Sequence, residues 1–247
     1  MQTREHRRAV ATRASCYAEA MPESHSDLAH WRPVPLPVSV TLAGRWVTLE
    51  PLSAAQHAPA LWNAVEGYDA VWDWLADGPY ASEADLTAAL ALKEAGAAAR
   101  FFAIVPTATG QVAGYASYMR MDPANGVIEV GNVMFSPTLQ RTPAATEAMY
   151  LLARHIFEDL GYRRYEWKCN ALNLPSQRAA QRLGFTYEGT FRQHMIVKGR
   201  NRDTAWYAML DSEWPALKVA FEAWLAEDNF DADGRQKRPL GDFQVQI

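Results

Sequence analysis

Cysteine is scarce in this chain, which has only Cys16 and Cys169 among its 247 residues. Two cysteines outside any CxxC motif give no disulfide framework, and no N-x-[ST] glycosylation site points to secretion. We therefore expect a reducing, cytoplasmic compartment. No apolar run reaches the roughly 18 residues that a membrane span needs, so we expect no membrane partner.

An excess of charge of one sign is also missing. The chain has 24 basic and 28 acidic residues, which gives a formal net charge of −4. This balance excludes a polybasic nucleic-acid-binding protein and is too mild for an acidic disordered chain. The six histidines show no zinc-ligand spacing, so we expect no metal. Phosphate-loop, dinucleotide-binding and nucleophile-elbow motifs are absent as well.

Composition divides the chain into three parts. Residues 1–37 are a polar extension followed by a connector in which three prolines in five positions prevent a helix. Acidic residues and the lack of an apolar stretch argue against a secretory or mitochondrial leader. Residues 38–228 have regular hydrophobic periodicity and form the predicted folded domain. Residues 229–247 are polar again, and we expect a loosely ordered tail.

The central region alternates between strand and helix patterns. Asn125-Gly126 predicts a hairpin, and Ser82 is expected to cap a helix. The predicted strands are 46–51, 101–106, 112–121, 127–135, 164–169, 189–197 and 204–210, and the predicted helices start at Ser53, Ser82, Thr142, Ser176 and Ser212. The order β-α-α-β-β-β-α-β-α-β-β-α predicts a mixed α/β fold in a single domain without internal repeats.

Two segments are candidates for chemistry. In the first, a strand ends in Val133-Met-Phe-Ser-Pro137, and Thr142 with Pro143 predicts the cap and first residue of the next helix. Free N–H groups and the dipole at such a helix end suit a phosphate or pyrophosphate, whereas an ordinary capped helix without a ligand is the alternative. The second segment is 173–185, where Ser176 is expected at or near a helix start.

Together these segments resemble the GNAT acyl-CoA N-acyltransferase superfamily, and within it the RimJ/RimL-like branch named for ribosomal-protein N-terminal acetylation. The resemblance rests on the strand and loop at 129–137, the loop and helix start at 140–148, the segment 173–185 and the residues 188–192 that follow it. The order of elements over residues 46–226 also matches. The resemblance implies the GNAT fold, with a mixed, mostly antiparallel, splayed sheet flanked by helices.

The resemblance also implies an activity and a cofactor site. Acetyl-CoA would be the donor, bound where the sheet opens, and its acetyl group would pass directly to a primary amine in a ternary complex. Strand amides would polarise the thioester, loop amides would hold the pyrophosphate, and Asn173 would hold the pantetheine arm. The implied cofactor-binding residues are Met134, Phe135, Ser136, Gln140, Arg141, Thr142, Ala144, Ala145 and Asn173.

Two positions depart from the family pattern. Pro143 stands at the central glycine of the phosphate loop, where it removes one amide donor and fixes φ. Gln181 stands where many relatives have a tyrosine acid, three residues before Gly-Phe. In the branch that this chain resembles, the serine that matches Ser176 is the candidate acid for the leaving thiolate, and helix capping is its alternative role.

Amine acylation also needs a base that takes a proton from the ammonium group. Glu129 lies on the strand that leads to the predicted thioester site, and period two predicts that Glu129, Gly131 and Val133 share one face. We therefore predict Glu129 as the base. An ion pair with an arginine on the neighbouring strand is the alternative.

The residues that would contact the acceptor are predicted from the last two strands and from one aromatic segment. Arg192, His194 or Asp203 would face the amine, although a hairpin of mixed charge is also typical of a solvated tip. Trp72 and Trp74 would line the same pocket, in the segment where relatives have an acceptor lid, although aromatic residues there are as often core. The acceptor would be a protein N-terminus or a small amine.

Two further interpretations stay open. Pro143 and Gln181 also fit a non-catalytic acyl-CoA-binding or regulatory protein on the same scaffold. The alanine-rich helices and the final helix at 214–224 could serve to form a homodimer, which is compatible with either function.

Overall fold

The computed structural model describes residues 28–244. Residues 28–32 belong to a unit separate from the rest of the chain, and there the Trp31 amide donates to the carbonyl oxygen of Leu28. Residues 33–244 lie in one compact unit. Of the extension and connector predicted over residues 1–37, residues 1–27 lie outside the described residues.

In the described part of the chain, strands form one mixed sheet and helices cover both of its faces. The strands are β1 (Leu42–Ala43), β2 (Val47–Pro51), β3 (Ala99–Pro106), β4 (Gly114–Asp122), β5 (Val127–Phe135), β6 (Arg164–Asn170), β7 (Thr186–Val197) and β8 (Arg200–Leu210). The helices are α1 (Ala54–Val65), α2 (Glu83–Ala95), α3 (Pro143–Arg154), α4 (Leu174–Arg182) and α5 (Trp214–Leu225). A 3-10 turn, Asp69–Trp72, connects α1 to α2, and a π-helical turn, His155–Asp159, follows α3.

The strand order across the sheet is β1-β2-β3-β4-β5-β6-β8-β7. Neighbouring strands are antiparallel except for β5 and β6, which run parallel. The predicted mixed α/β fold and its order of elements are confirmed. The two-residue strand β1 was not predicted, because a segment this short has no period to recognise.

Pairing between β5 and β6 stops halfway along both strands. The parallel ladder joins residues 127–130 of β5 to residues 164–167 of β6. Beyond it, residues 131–135 and 168–170 are not paired with each other, so the strands separate and leave a V-shaped gap. The splayed sheet that the resemblance implies is therefore present.

A β-bulge shapes β5 where this gap begins. Tyr115 pairs with Met134 and Ser117 pairs with Gly131, so β5 has one extra residue between the two pairs. Asn132 takes a left-handed backbone conformation there, with φ of 49°, and its side chain donates to Ser117 Oγ at 3.1 Å. Ser117 Oγ donates in turn to the Gly131 carbonyl oxygen at 3.1 Å. These bonds hold the unpaired strand end in one shape.

The bulge also decides which side chains face each side of the sheet. Directly opposite residues of antiparallel strands have neighbouring side chains on one face, so Glu129, Gly131 and Met134 share a face. Val133 therefore points to the opposite face. The prediction that Glu129, Gly131 and Val133 share a face is wrong, because period-two counting omits the extra residue.

Each face of the sheet has its own hydrophobic core. On one side α1 and α2 pack on the sheet through a cluster that includes Leu61 and Leu86. On the other side α3, α4 and α5 pack through a larger cluster that includes Leu152, Ala180 and Phe221. We call these sides the α1–α2 face and the α3–α5 face.

The segment that follows residue 228 is packed against the domain. Phe230 contacts Trp46 and Trp224 edge-on, with ring centroids 5.2 Å apart in both pairs. Leu240 is fully buried. Phe230 and Leu240 therefore anchor this segment to the domain, while residues 231–239 between them are exposed. A loosely ordered tail stays a prediction.

We expect Phe230→Ala to lower the free energy of unfolding by about 2–4 kcal/mol, because it removes a buried ring from between two tryptophans. Chemical denaturation measures this change. Leu92→Ala is the control, since Leu92 is 78% exposed and its truncation should cost less than about 0.5 kcal/mol. Equal values for the two variants would show that the tail contributes nothing to the fold.

Candidate active site

The edge of β5 that borders the gap presents a backbone amide beyond the bulge. The Ser136 amide donates to the Ala113 carbonyl oxygen at 2.9 Å, so it points towards β4. Because peptide groups alternate along a strand, the Met134 amide also points towards β4 and the Phe135 amide points into the gap. Gln140 Nε2 donates to the Phe135 carbonyl oxygen at 3.0 Å, which fixes the next peptide group, between Phe135 and Ser136. Of the three predicted strand residues, Phe135 therefore offers the donor.

The loop after β5 enters α3 as a capped helix. Thr142 Oγ1 accepts from the Ala145 amide at 3.2 Å and donates to the Leu139 carbonyl oxygen at 2.7 Å. Pro143 is the first residue of α3, where a missing N–H breaks no helical hydrogen bond. The predicted cap and helix start are confirmed.

Some of the backbone amides of this loop already donate hydrogen bonds within the protein. The amides of Gln140, Thr142 and Ala145 donate to acceptors within the loop. Those of Arg141 and Ala144 have no acceptor among residues 28–244. Both lie at the positive end of the α3 dipole, so they are placed to hold an anionic group.

An open groove of about 410 Å³ lies beside this loop. One wall is formed by residues 67–71 of the connection between α1 and α2, and the other by Pro137 and Gln140. Tyr68 is 54% exposed at this edge. A ligand on the loop amides would therefore lie next to an open surface.

Helix α4 begins at the end of β6, on the other border of the gap. Its N-cap is Asn173, whose Oδ1 accepts from the Ser176 amide at 3.1 Å. The alternative role of Ser176 as the cap is wrong, because the helix starts two residues earlier than predicted. The Nδ2 group of Asn173 has no partner in the described part of the chain, so it remains available as a donor.

The Ser176 hydroxyl has a defined orientation. Its Oγ accepts from the indole N–H of Trp167 at 3.0 Å, which leaves its own hydrogen to be donated. Cys169 lies nearby, and burial raises the pKa of its thiol although a hydrogen bond with Ser176 opposes this. Cys169 therefore stays a neutral thiol at pH 7, with the Ser176 hydroxyl beside it.

The α1–α2 face beside the gap carries a buried ladder of charges. Lys168 Nζ lies 2.9 Å from Glu129 Oε2 and 2.7 Å from Glu166 Oε2. It also lies 3.8 Å from the centroid of the Trp206 ring. Arg120 Nη1 donates to Glu129 Oε2 at 3.1 Å. Buried charges need such partners, because an isolated one is strongly disfavoured.

Glu129 thus has the ion pair with a neighbouring-strand arginine that the sequence left as an alternative, and a second pair with Lys168. Glu129 Oε1 makes no hydrogen bond within residues 28–244 and lies on the Gly131 side of the carboxylate. Sequence reasoning missed Lys168. The alternation of charged and apolar residues over 164–169, Arg-Tyr-Glu-Trp-Lys-Cys, indicates that Glu166 and Lys168 share one face of the strand.

In the segment between α1 and α2, only one of the two predicted pocket tryptophans is exposed. Trp72 is 2% exposed and its ring meets Tyr80 edge-on at 5.0 Å, so it is a core residue. This corrects the prediction that its ring lines an acceptor pocket. Trp74 is 42% exposed. Lys198 Nζ donates to the Trp72 carbonyl oxygen at 2.9 Å, which joins the β7–β8 hairpin to this segment.

His194 lies on the same face as the charged ladder. Its Nδ1 is 2.9 Å from Thr204 Oγ1, and its ring centroid is 5.7 Å from that of Phe191 and 6.0 Å from that of Trp206. Period two along β8 places Thr204 and Trp206 on one side of the sheet. The structure therefore brings His194 to the surface that also carries Glu129 and Lys168.

Arg192 and Asp203 belong to a more exposed part of the hairpin. Strand β7 has two extra residues opposite β8 between its pairs at 191 and 195, and Arg192 is exposed there. The amide of Gln193 donates to Asp203 Oδ1 at 2.7 Å, and this bond lowers the pKa of the Asp203 carboxyl. Arg192 as a substrate contact stays a prediction.

The donor set at the gap consists of amides, hydroxyls and paired charges. Among residues 28–244, no group of three or more His, Cys, Asp or Glu side chains is arranged to hold a metal ion. None of the helices described for this chain has the length and apolar character needed to cross a membrane.

Residues 47–186 match the family model of the acetyltransferase (GNAT) domain. This match covers more than half of the chain and includes the bulged strand, the capped loop and the start of α4. The chain therefore belongs to the GNAT acetyltransferase family, a class of acyltransferase enzymes.

Solved structures of this class are similar over nearly their whole length. A GCN5-related N-acetyltransferase from Brucella melitensis is 50% identical, with a TM-score of 0.85, and the match covers 87% of this chain and 98% of that one. An acetyltransferase from Salmonella typhimurium that modifies the N-terminal serine of ribosomal protein L7/L12 is 22% identical, with a TM-score of 0.59 and coverage of 69% and 99%. The second likeness shows the fold alone.

Curated relatives match over shorter stretches. An N-acetyltransferase of Bacillus subtilis named YnaD, described as uncharacterized, is 33% identical over 87 residues, which are 35% of this chain and 50% of that protein. The chain spans between 50% and 63% of the length of the curated relatives it matches. These relatives therefore support the family, while the activity and the acceptor remain to be proposed.

Asn173→Asp should separate the capping role of Asn173 from ligand binding. Aspartate keeps the cap oxygen, so the free energy of unfolding should change by less than about 0.5 kcal/mol. It loses the Nδ2 donor, so the Kd for acetyl-CoA should rise about tenfold. Denaturation and calorimetry measure the two effects. Asn173→Ala, which loses both groups, should also lose about 1 kcal/mol of stability. An unchanged Kd in the aspartate variant would contradict the contact.

Proposed function

We propose that this protein transfers the acetyl group of acetyl-CoA to a primary amine, either a protein N-terminus or a small amine, by direct attack in a ternary complex. The observation that carries the proposal is the gap between β5 and β6. Helix N-termini border it on the α3–α5 face, and charged side chains border it on the α1–α2 face. A donor from the first side and an amine from the second can meet in it.

The α3–α5 face would hold the donor. The amides of Arg141 and Ala144 would bind the pyrophosphate, and Asn173 Nδ2 would donate to the pantetheine arm. The Phe135 amide would donate to the thioester carbonyl oxygen as negative charge develops there, which is the role of an oxyanion-hole donor. Thr142 keeps its side chain for capping and acts by holding the loop in shape.

Two side chains would move protons. Glu129 would accept a proton from the acceptor ammonium, directly or through water, so that a neutral amine can attack. Ser176, oriented by Trp167, would donate its hydrogen to the sulfur of the leaving thiolate. Lys168 and Arg120 would keep the Glu129 carboxylate in a fixed position beside the gap.

The acceptor class is supported from two directions. The likeness to the RimJ/RimL-like branch favours a protein N-terminus, in line with the substrate named for the Salmonella typhimurium structure. The cluster of Lys168, Trp206 and His194, the last two on the β7–β8 hairpin itself, would suit a small amine.

The non-catalytic alternative rests on Pro143 and Gln181. Measurements of binding and turnover distinguish it from acetyl transfer.

We expect acetyl-CoA to bind in a calorimeter and to be consumed with at least one amine of a panel of peptides, amino acids and polyamines. Pro143→Ala should tighten acetyl-CoA binding about threefold to tenfold, because it adds an amide beside those of Arg141 and Ala144. Binding of adenosine, which has no phosphate, is the control and should not change. Binding without turnover on any amine would favour the non-catalytic alternative.

Glu129→Gln should lower kcat at neutral pH by about 10²-fold or more and change the acidic limb of the pH–rate profile, because the base is lost. Glu166→Gln is the matched control, since it also removes an ion pair from Lys168 but does not touch the acceptor. The profile of the Glu166 variant should keep its shape. Equal effects of both substitutions would mean that Glu129 serves only the ion-pair ladder.

A further inference from the structure

Arg202 lies on the proposed acceptor face without a role in the mechanism above. Strand β8 pairs regularly with β6, so period two places Arg202, Thr204 and Trp206 on one side of the sheet. This is the side that carries Lys168, which contacts the Trp206 ring. Burial lowers the pKa of the Arg202 guanidinium, and the nearby Cys169 and Glu129 oppose this effect.

The Arg202 side chain is half-buried, and its Nε is a buried donor without a partner. This atom is inaccessible to solvent and makes no hydrogen bond within residues 28–244. Although burial lowers the pKa of the guanidinium, arginine stays charged at neutral pH. Since a buried donor without an acceptor is costly, the position suits an acceptor, and the positive charge favours an anionic one.

The acidic side chains around Arg202 have other partners. Glu129 binds Arg120 and Lys168, and Glu166 binds Lys168 and Arg164. Asp203, the next residue along β8, accepts from the Gln193 amide and from Asn201 Nδ2. The indole Nε1 of Trp206 is a second buried donor without a partner in the described residues. None of the three carboxylates forms an ion pair with Arg202 among the described residues.

We propose that Arg202 binds a carboxylate group of the acceptor, so that the preferred substrate is a small primary amine that also carries a carboxylate, such as an α-amino acid. This inference rests on the acetyl transfer proposed above and names its acceptor class. The positively charged amine of the substrate would lie towards the Glu129 carboxylate, and its negatively charged carboxylate would lie towards the Arg202 guanidinium. Bidentate geometry suits a guanidinium and a carboxylate.

The size of the acceptor follows from the hairpin. Lys198 Nζ donates to the Trp72 carbonyl oxygen at 2.9 Å, so the tip of the β7–β8 hairpin is tied to the segment between α1 and α2. In the proposed arrangement this bridge would restrict the passage of a continuing polypeptide, whereas a compact substrate would not need to pass it.

The test compares amino acids with their amides as acceptors. Each pair has the same side chain and amine position, and only the acid offers the guanidinium a negative charge and two equivalent acceptor oxygens. The wild-type kcat/KM should favour the acid by about 10- to 100-fold, and Arg202→Gln should remove this preference by lowering the value for acids. Arg200→Gln is the control, because Arg200 is exposed on the same strand. The Kd for acetyl-CoA should be unchanged in both variants.

A second measurement does not need turnover. Calorimetry of N-acetylated amino acids and of their amides, with CoA present, should show tighter binding of the acids in the wild type and in Arg200→Gln, but not in Arg202→Gln. Turnover with equal kcat/KM for acids and amides, or with peptide N-termini alone, would overturn the carboxylate site and leave acetyl transfer intact. Carboxylate-dependent binding without turnover on any amine would support the site and reject acetyl transfer. If neither carboxylate-dependent binding nor turnover is observed, both the carboxylate site and acetyl transfer are rejected.

Discussion

The unpaired ends of β5 and β6 are the feature on which the rest of this molecule depends. A sheet that closes would satisfy its backbone groups internally, whereas here a left-handed Asn132 and its bonds to Ser117 keep the end of β5 separate from its parallel neighbour. The resulting opening leaves the Phe135 amide unpaired and brings two helix N-termini to its border. A small irregularity in one strand thus creates the place where a ligand can sit.

Charge is distributed unequally about this opening. On the α3–α5 face the donors are neutral amides, a carboxamide and a hydroxyl, which can hold phosphate groups and a thioester without a counter-ion. On the α1–α2 face they are ionised side chains, which Lys168 links into one network with Glu129 and Glu166. The two surfaces suit two chemically different ligands, and the membership of the chain in the GNAT family agrees with such a division.

Local features of the fold were predictable from the sequence, and features that depend on distant contacts were not. Ser82 and Thr142 cap their helices as expected, because capping involves residues only three positions apart. The predicted face of Val133 was wrong, because one extra residue in a strand cannot be recognised from the alternation of polar and apolar residues in its sequence. Trp72 was misplaced for a similar reason: its burial depends on packing against Gly78 and Tyr80 in the tertiary structure. Arg202 was passed over because a missing partner shows only in three dimensions.

The opening also has a consequence for the sequence of binding events. In the proposed arrangement the donor groups and the charged groups lie on opposite faces of the sheet, so neither ligand would cover the binding groups of the other. Either substrate could then bind first, and such an arrangement favours a random-order kinetic scheme over a compulsory-order one.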